Sequence, residues 1–208
     1  MLLYRPVGLE ELRLIYEADM RAFPPRLPEQ PIFYPVTNAE YAKQIARDWN
    51  TKSGTLAGFV TRFVVDDAYV SRFERRVVGR REHEDLWVPA EELSDFNAHI
   101  SGQIEVVAAY FGEGFQGYVP ERFGLKGKGV EAQFTALART LPYSRFDFSC
   151  EIAANHTAIF LGFLFWEQHD FANDGFDVVA RDEVLAEMKK HWAAGDRKSV
   201  PLGVVGGG

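Results

Sequence analysis

Two periods of apolar and polar positions run through the chain, and the switches between them mark its elements. Leu2–Val7 (LLYRPV) reads as a short strand. After Gly8, apolar side chains at Leu9, Leu12, Ile15 and Tyr16 recur at helical spacing, with Glu10, Glu11 and Arg13 on the opposite face. Residues 23–31 (FPPRLPEQP) hold four prolines, which fix φ and remove amide donors, so this stretch is predicted as an ordered, irregular surface arm. Extended structure resumes over 32–36. Asn38 is suited to cap a helix carrying Ala42, Ile45, Ala46 and Trp49 on one stripe. Residues 58–65 alternate at period two, and Asp66 and Asp67 end that strand and open a helix of one to two turns. A further extended stretch over 82–88 (EHEDLWV) closes on Pro89, ahead of a short helix with Leu93 and Phe96, and 103–111 (QIEVVAAYF) alternates again.

Glycines at 112, 114, 117, 124, 127 and 129 then change the composition and mark the boundary. Beyond it the period is helical. One stripe holds Val130, Phe134, Leu137, Ala138 and Leu141; residues 148–168 are nearly apolar all round; another stripe holds Val184, Leu185, Met188 and Trp192. The predicted fold class is α+β: an N-terminal mixed sheet with short helices, followed by a helical C-terminal half. The expected division is an α+β region over 1–111, a glycine-rich linker over 112–129, a helical region over 130–200 and a flexible tail over 201–208.

Composition sharpens this picture. Of 208 residues, 47% are hydrophobic and 25% charged, so a core must form. The 17 phenylalanines make that core, and any pocket near it, ring-lined. The net charge of −7, with Lys and Arg scattered, leaves no basic stripe for a phosphate backbone, so nucleic acid is not expected as a partner. The arginines at 72, 75, 76, 80 and 81 are balanced by Glu74, Glu82 and Glu84 and read as a solvated strand-and-turn surface. The lone Cys150 has no internal disulfide partner and, inside an apolar helix, is expected to be a small buried hydrophobe. The most apolar run, 158–166, is far shorter than the roughly 20 residues of a membrane-spanning helix. No membrane association and a cytoplasmic location are expected.

Three constellations carry candidate chemistry. Arg5 is a charge in an apolar strand, able to grip a phosphate or ribose with a forked guanidinium or to reach solvent at a sheet edge. Phe33, Tyr34, Thr37 and Asn38 place rings and polar groups where a strand gives way to a helix, as a flat ligand or simply a core and a cap would require. Glu82, His83, Glu84 and Asp85 are consecutive; in a strand, Glu82 and Glu84 share one face, and His83 and Asp85 the other. His156, His169 and His191 have no metal-ligand spacing, so no metal is expected.

The order of these pieces resembles the ADP-ribosyltransferases: an opening strand with an arginine (LYRPV), a strand–helix block (FYPVTNAEYAKQIA) and an acidic strand (EHEDLWVP), together covering the first half of the chain. The blocks FPPRLPEQPIFYP and FLFWEQHDF are also similar to a bacterial family described as ADP-ribosylation/crystallin. The all-helical ADP-ribosyl glycohydrolases, which hold two magnesium ions with paired acidic motifs, fit poorly. The resemblance implies an ADP-ribosyltransferase-like fold that binds NAD and transfers ADP-ribose to a macromolecular target. It implies that Arg5 contacts the ribose or phosphate, that Tyr34 and Thr37 line the nicotinamide pocket with His83 beside them, and that Glu84 is the catalytic carboxylate. The acidic strand has one residue more before Pro89 than the family pattern, which keeps Asp85 a rival to Glu84. The other function class open to this sequence is a non-catalytic module that binds a protein partner through its aromatic surface and proline arm.

Overall fold

Successive residues of a strand face opposite ways, and in β1 (Leu2–Val7) both faces are covered. Leu3, Arg5 and Val7 are buried on one side, while Tyr4 packs on the other against Val36, Ala42, Ala46 and Val60. The structure, a computed structural model, describes residues 1–77 and 84–204, which divide into two compact units, 1–113 and 114–204.

The N-terminal unit holds β2 (Ile32–Phe33), β3 (Ala57–Val65), β4 (Glu74–Val77), β5 (Glu84–Pro89) and β6 (Ile100–Phe111) besides β1. These form two three-stranded sheets, β1-β3-β6 and β2-β5-β4. Val36 joins them, bridging Tyr4 on one side and Asp85 on the other. Tyr4 and Val36 exchange backbone hydrogen bonds of 2.8 Å, and Leu86 N–H donates to the Pro35 carbonyl at 2.8 Å. Glu105, Arg62, Tyr4, Val36, Asp85 and Arg76 are thus successive cross-strand partners, and such partners point to the same face. Among the described strands every pairing is antiparallel, which corrects the expected mixed sheet. Period-two alternation encodes which face a side chain takes and carries nothing about strand direction.

Helices α1 (Leu9–Glu17), α2 (Ala39–Asp48), α3 (Asp67–Val70) and α4 (Leu93–Ala98) complete this unit. On the Arg5 face, Phe23, Phe33, Phe63 and Phe96 form a ring cluster with centroids 4.8–6.2 Å apart. On the other face lies α2, capped by Asn38, whose Oδ1 accepts from Tyr41 N–H at 3.0 Å. A Cβ at Gly58 of β3 would lie 2.1 Å from the Ala46 carbonyl oxygen, so glycine is what lets this helix and strand meet. Trp49, expected on the buried stripe, is 60% exposed. The helix ends at Asp48, which leaves Trp49 as its C-cap.

The C-terminal unit holds α5 (Val130–Tyr143), α6 (Arg145–Ala154), α7 (His156–Gln168) and α8 (Val178–Ala194). The apolar stretch 148–168 is two helices bent by 103°. Asn155 breaks it: φ −112° and ψ 28° are non-helical, and its side chain donates back to the Glu151 carbonyl at 3.2 Å and carboxylate at 2.9 Å, competing with the helix ladder. α7 is buried from Ala158 to Trp166, and the Trp166 indole donates to the Val130 carbonyl at 2.7 Å. The stripe Val184, Leu185, Met188 and Trp192 is buried as expected.

From Gly114 onward the segment expected as a linker packs into this unit: Phe115 and Leu125 are buried, Gly124 N–H donates to Glu151 at 2.8 Å, and Gln133 donates to the Tyr118 and Lys128 carbonyls. Cys150 is exposed, contrary to expectation, because α6 turns only Phe148 and Ile152 inward. Among the described residues no single helix is long and apolar enough to cross a membrane.

Candidate functional site

Two side chains from two segments converge on Glu11. Arg5 Nε donates to its carboxylate at 2.8 Å, Arg5 Nη2 lies 3.3 Å from its other oxygen, and Arg26 Nη1 stands 3.7 Å away. Arg5 is only 7% exposed and also donates to the Tyr34 carbonyl at 3.2 Å, with its guanidinium 4.5 Å from the Phe33 ring centroid. Two guanidiniums therefore share one carboxylate. Burial first, and then the like charge of Arg5, pull the Arg26 pKa below the usual arginine value. Arg26 Nε is buried with no acceptor among the described residues.

Tyr34 lies next to this cluster in the chain, and its ring is more than a third exposed. It meets the Trp87 ring edge-on at 5.1 Å. The planar cation of Arg76 sits over that indole at 3.7 Å, held by two 2.8 Å bonds to Glu74. The Trp87 indole N–H is buried and, among the described residues, has no acceptor.

The register decides where the carboxylates point. Asp85 is the cross-strand partner of Val36 and of Arg76, so it shares their face, with Trp87 two residues on. One of its carboxylate oxygens is buried. From α2, Tyr41 has its pKa raised, first by burial and then by the Asp85 charge. Glu84 takes the opposite face by alternation, that of the buried Leu86 and Val88. Thr37 is placed by its N–H, which donates to the Glu84 carbonyl at 3.2 Å. His83 lies outside the described residues.

Of the residues singled out in the sequence, Tyr34 meets the Trp87 ring and Asp85 shares its face, Thr37 adjoins them through the backbone, and Arg5 and Glu84 take the other face of the sheet. The sequence reading missed Tyr41, Trp87, Arg76 and Arg26. Trp87 was within reach of it, because strand alternation from Asp85 puts the two on one face. Arg76 was not, since only the β4–β5 pairing brings it there. Among the described residues no group of three or more His, Cys, Asp or Glu is gathered as for a metal ion. Compared with family models, curated proteins and solved structures, the chain finds no match.

Proposed function

We propose that the Tyr34–Trp87 face binds NAD and that the chain transfers ADP-ribose to a macromolecular target. The observation that carries this reading is the Trp87 ring, which meets the exposed Tyr34 edge-on and already holds a flat cation, with Asp85 on the same face of the sheet. Oxidised nicotinamide is likewise flat and cationic, and stacking on a ring face beside a negative charge favours it over a neutral ligand. The buried indole N–H of Trp87 fits an acceptor on such a ligand. Arg76, stacked on the Trp87 ring, supplies charge for a pyrophosphate.

Cleavage of the nicotinamide–ribose bond sends the electron pair out with nicotinamide and leaves positive charge on the ribose. A carboxylate beside that carbon stabilises the developing charge. Asp85 suits this role better than Glu84 because it shares the ring face. Arg5 acts at one remove, fixing the Tyr34 backbone through its carbonyl.

Thermal denaturation with and without millimolar NAD tests the reading, because a ligand that binds only the folded state raises its Tm. Wild type is expected to shift and Trp87→Leu to lose the shift. Asp85→Asn should keep the shift while nicotinamide release falls about a hundredfold. An unchanged wild-type Tm at saturating NAD defeats the proposal.

A further inference from the structure

Arg76 occupies the ring face on which a flat ligand of this site would stack. Its guanidinium lies 3.7 Å from the Trp87 ring centroid, and two 2.8 Å bonds to Glu74 hold it there. The strand register builds the arrangement. Glu74 is the cross-strand partner of Trp87 and Arg76 that of Asp85, so Arg76 reaches the indole on the diagonal. Glu74 and Arg76 alternate onto the same face of β4, which puts the counter-charge beside the ring rather than across the strand. The Arg76 side chain is 46% exposed and that of Glu74 61%, so the latch is a surface ion pair, weak enough to open readily.

We infer, resting on the reading of this face as an NAD site, that Arg76 is a displaceable plug on the Trp87 ring, released by a ligand that carries a phosphate beside its flat cationic ring. A ring can stack on Trp87 only after the guanidinium has moved, so the fraction of molecules with Arg76 elsewhere scales the affinity of any such ligand. A bare cationic ring offers the displaced arginine no partner and repels it as a like charge. A phosphate joined to the ring gives the guanidinium a forked, charge-assisted acceptor in place of Glu74, while the ring takes over the stacking position. One side chain thus weakens binding of the ring alone and strengthens binding of the ring with its phosphate.

Calorimetric titration of the full chain with two probes tests the plug: 1-methylnicotinamide, the cationic ring without phosphate, and nicotinamide mononucleotide, the same ring with a phosphate. Wild type is expected to bind the mononucleotide about tenfold more tightly than the bare ring. In Arg76→Gln the bare ring should gain about tenfold and the mononucleotide should lose its advantage. Glu74→Gln opens the latch and keeps the guanidinium, so both probes should gain about threefold. Equal affinities in wild type, an unchanged preference in Arg76→Gln, no gain in Glu74→Gln, or no binding of either probe by any of these proteins overturns the inference. The loss of preference in a chain whose Tm does not respond to NAD would uphold the plug and defeat the NAD reading; an NAD-dependent Tm shift with the preference retained in Arg76→Gln would do the reverse.

Discussion

The two units bury polar groups in different ways. Among the described residues, the buried polar ones are Arg5 and Thr61 in the N-terminal unit and the neutral amides Gln133 and Asn155 in the C-terminal unit. Gln133 donates to the Tyr118 and Lys128 carbonyls at 2.8 and 2.7 Å, stapling the glycine-rich segment to α5. A buried amide needs only partners for its own dipole. A buried guanidinium needs a counter-charge, and here Arg5 leans on Glu11, with the partly buried Arg26 3.7 Å from the same carboxylate. Charge inside the sheet unit is thus tied to the residues beside Tyr34, whereas polarity inside the helical unit serves chain path alone.

The sharpest way to break this contrast is Glu11→Gln, which keeps shape and removes the charge. Breaking a buried ion pair costs about 3–5 kcal/mol; with Glu11 one-fifth exposed the loss should sit near the lower end, about 3 kcal/mol, in denaturant unfolding. Gln133→Leu should cost less, about 2 kcal/mol, since it leaves two carbonyls without a donor and no orphaned charge. If the two losses come out equal or reversed, the contrast between the units fails.

A further effect is alkaline. Burial first, and then the Asp95 carboxylate, push the Tyr69 pKa up to about 12. The neutral phenol is the form the folded state favours. Its contribution to stability is therefore complete below the unfolded value of about 10 and is lost as pH rises from there through the folded value. Phenolate absorbance should show one late-titrating tyrosine in wild type that is missing in Tyr69→Phe, whose stability should also fall less over that interval. A Tyr69 that titrates with its exposed neighbours would contradict the burial argument.

Local elements were legible wherever one periodicity dominated. The stripe Leu9, Leu12, Ile15 and Tyr16 is buried, as are Val184, Leu185, Met188 and Trp192, because a face that meets a core leaves its period in the sequence. The break at Asn155 was hidden by apolar residues on both sides, which look alike in one long helix or two short ones. Strand pairing was hidden as well, and the candidate site depends on it. Tyr34 and Asp85 could be named as rings and charges, but the stacking of Arg76 on Trp87 exists only once β4 lies beside β5.

Gly58 sets how deep α2 can sink, because a single methyl there would strike the Ala46 carbonyl. Any larger residue would lift the helix like a shim under a hinge plate. Tyr41 rides on that same helix, so an alteration on a strand remote from Asp85 in sequence would retune how closely phenol and carboxylate face one another.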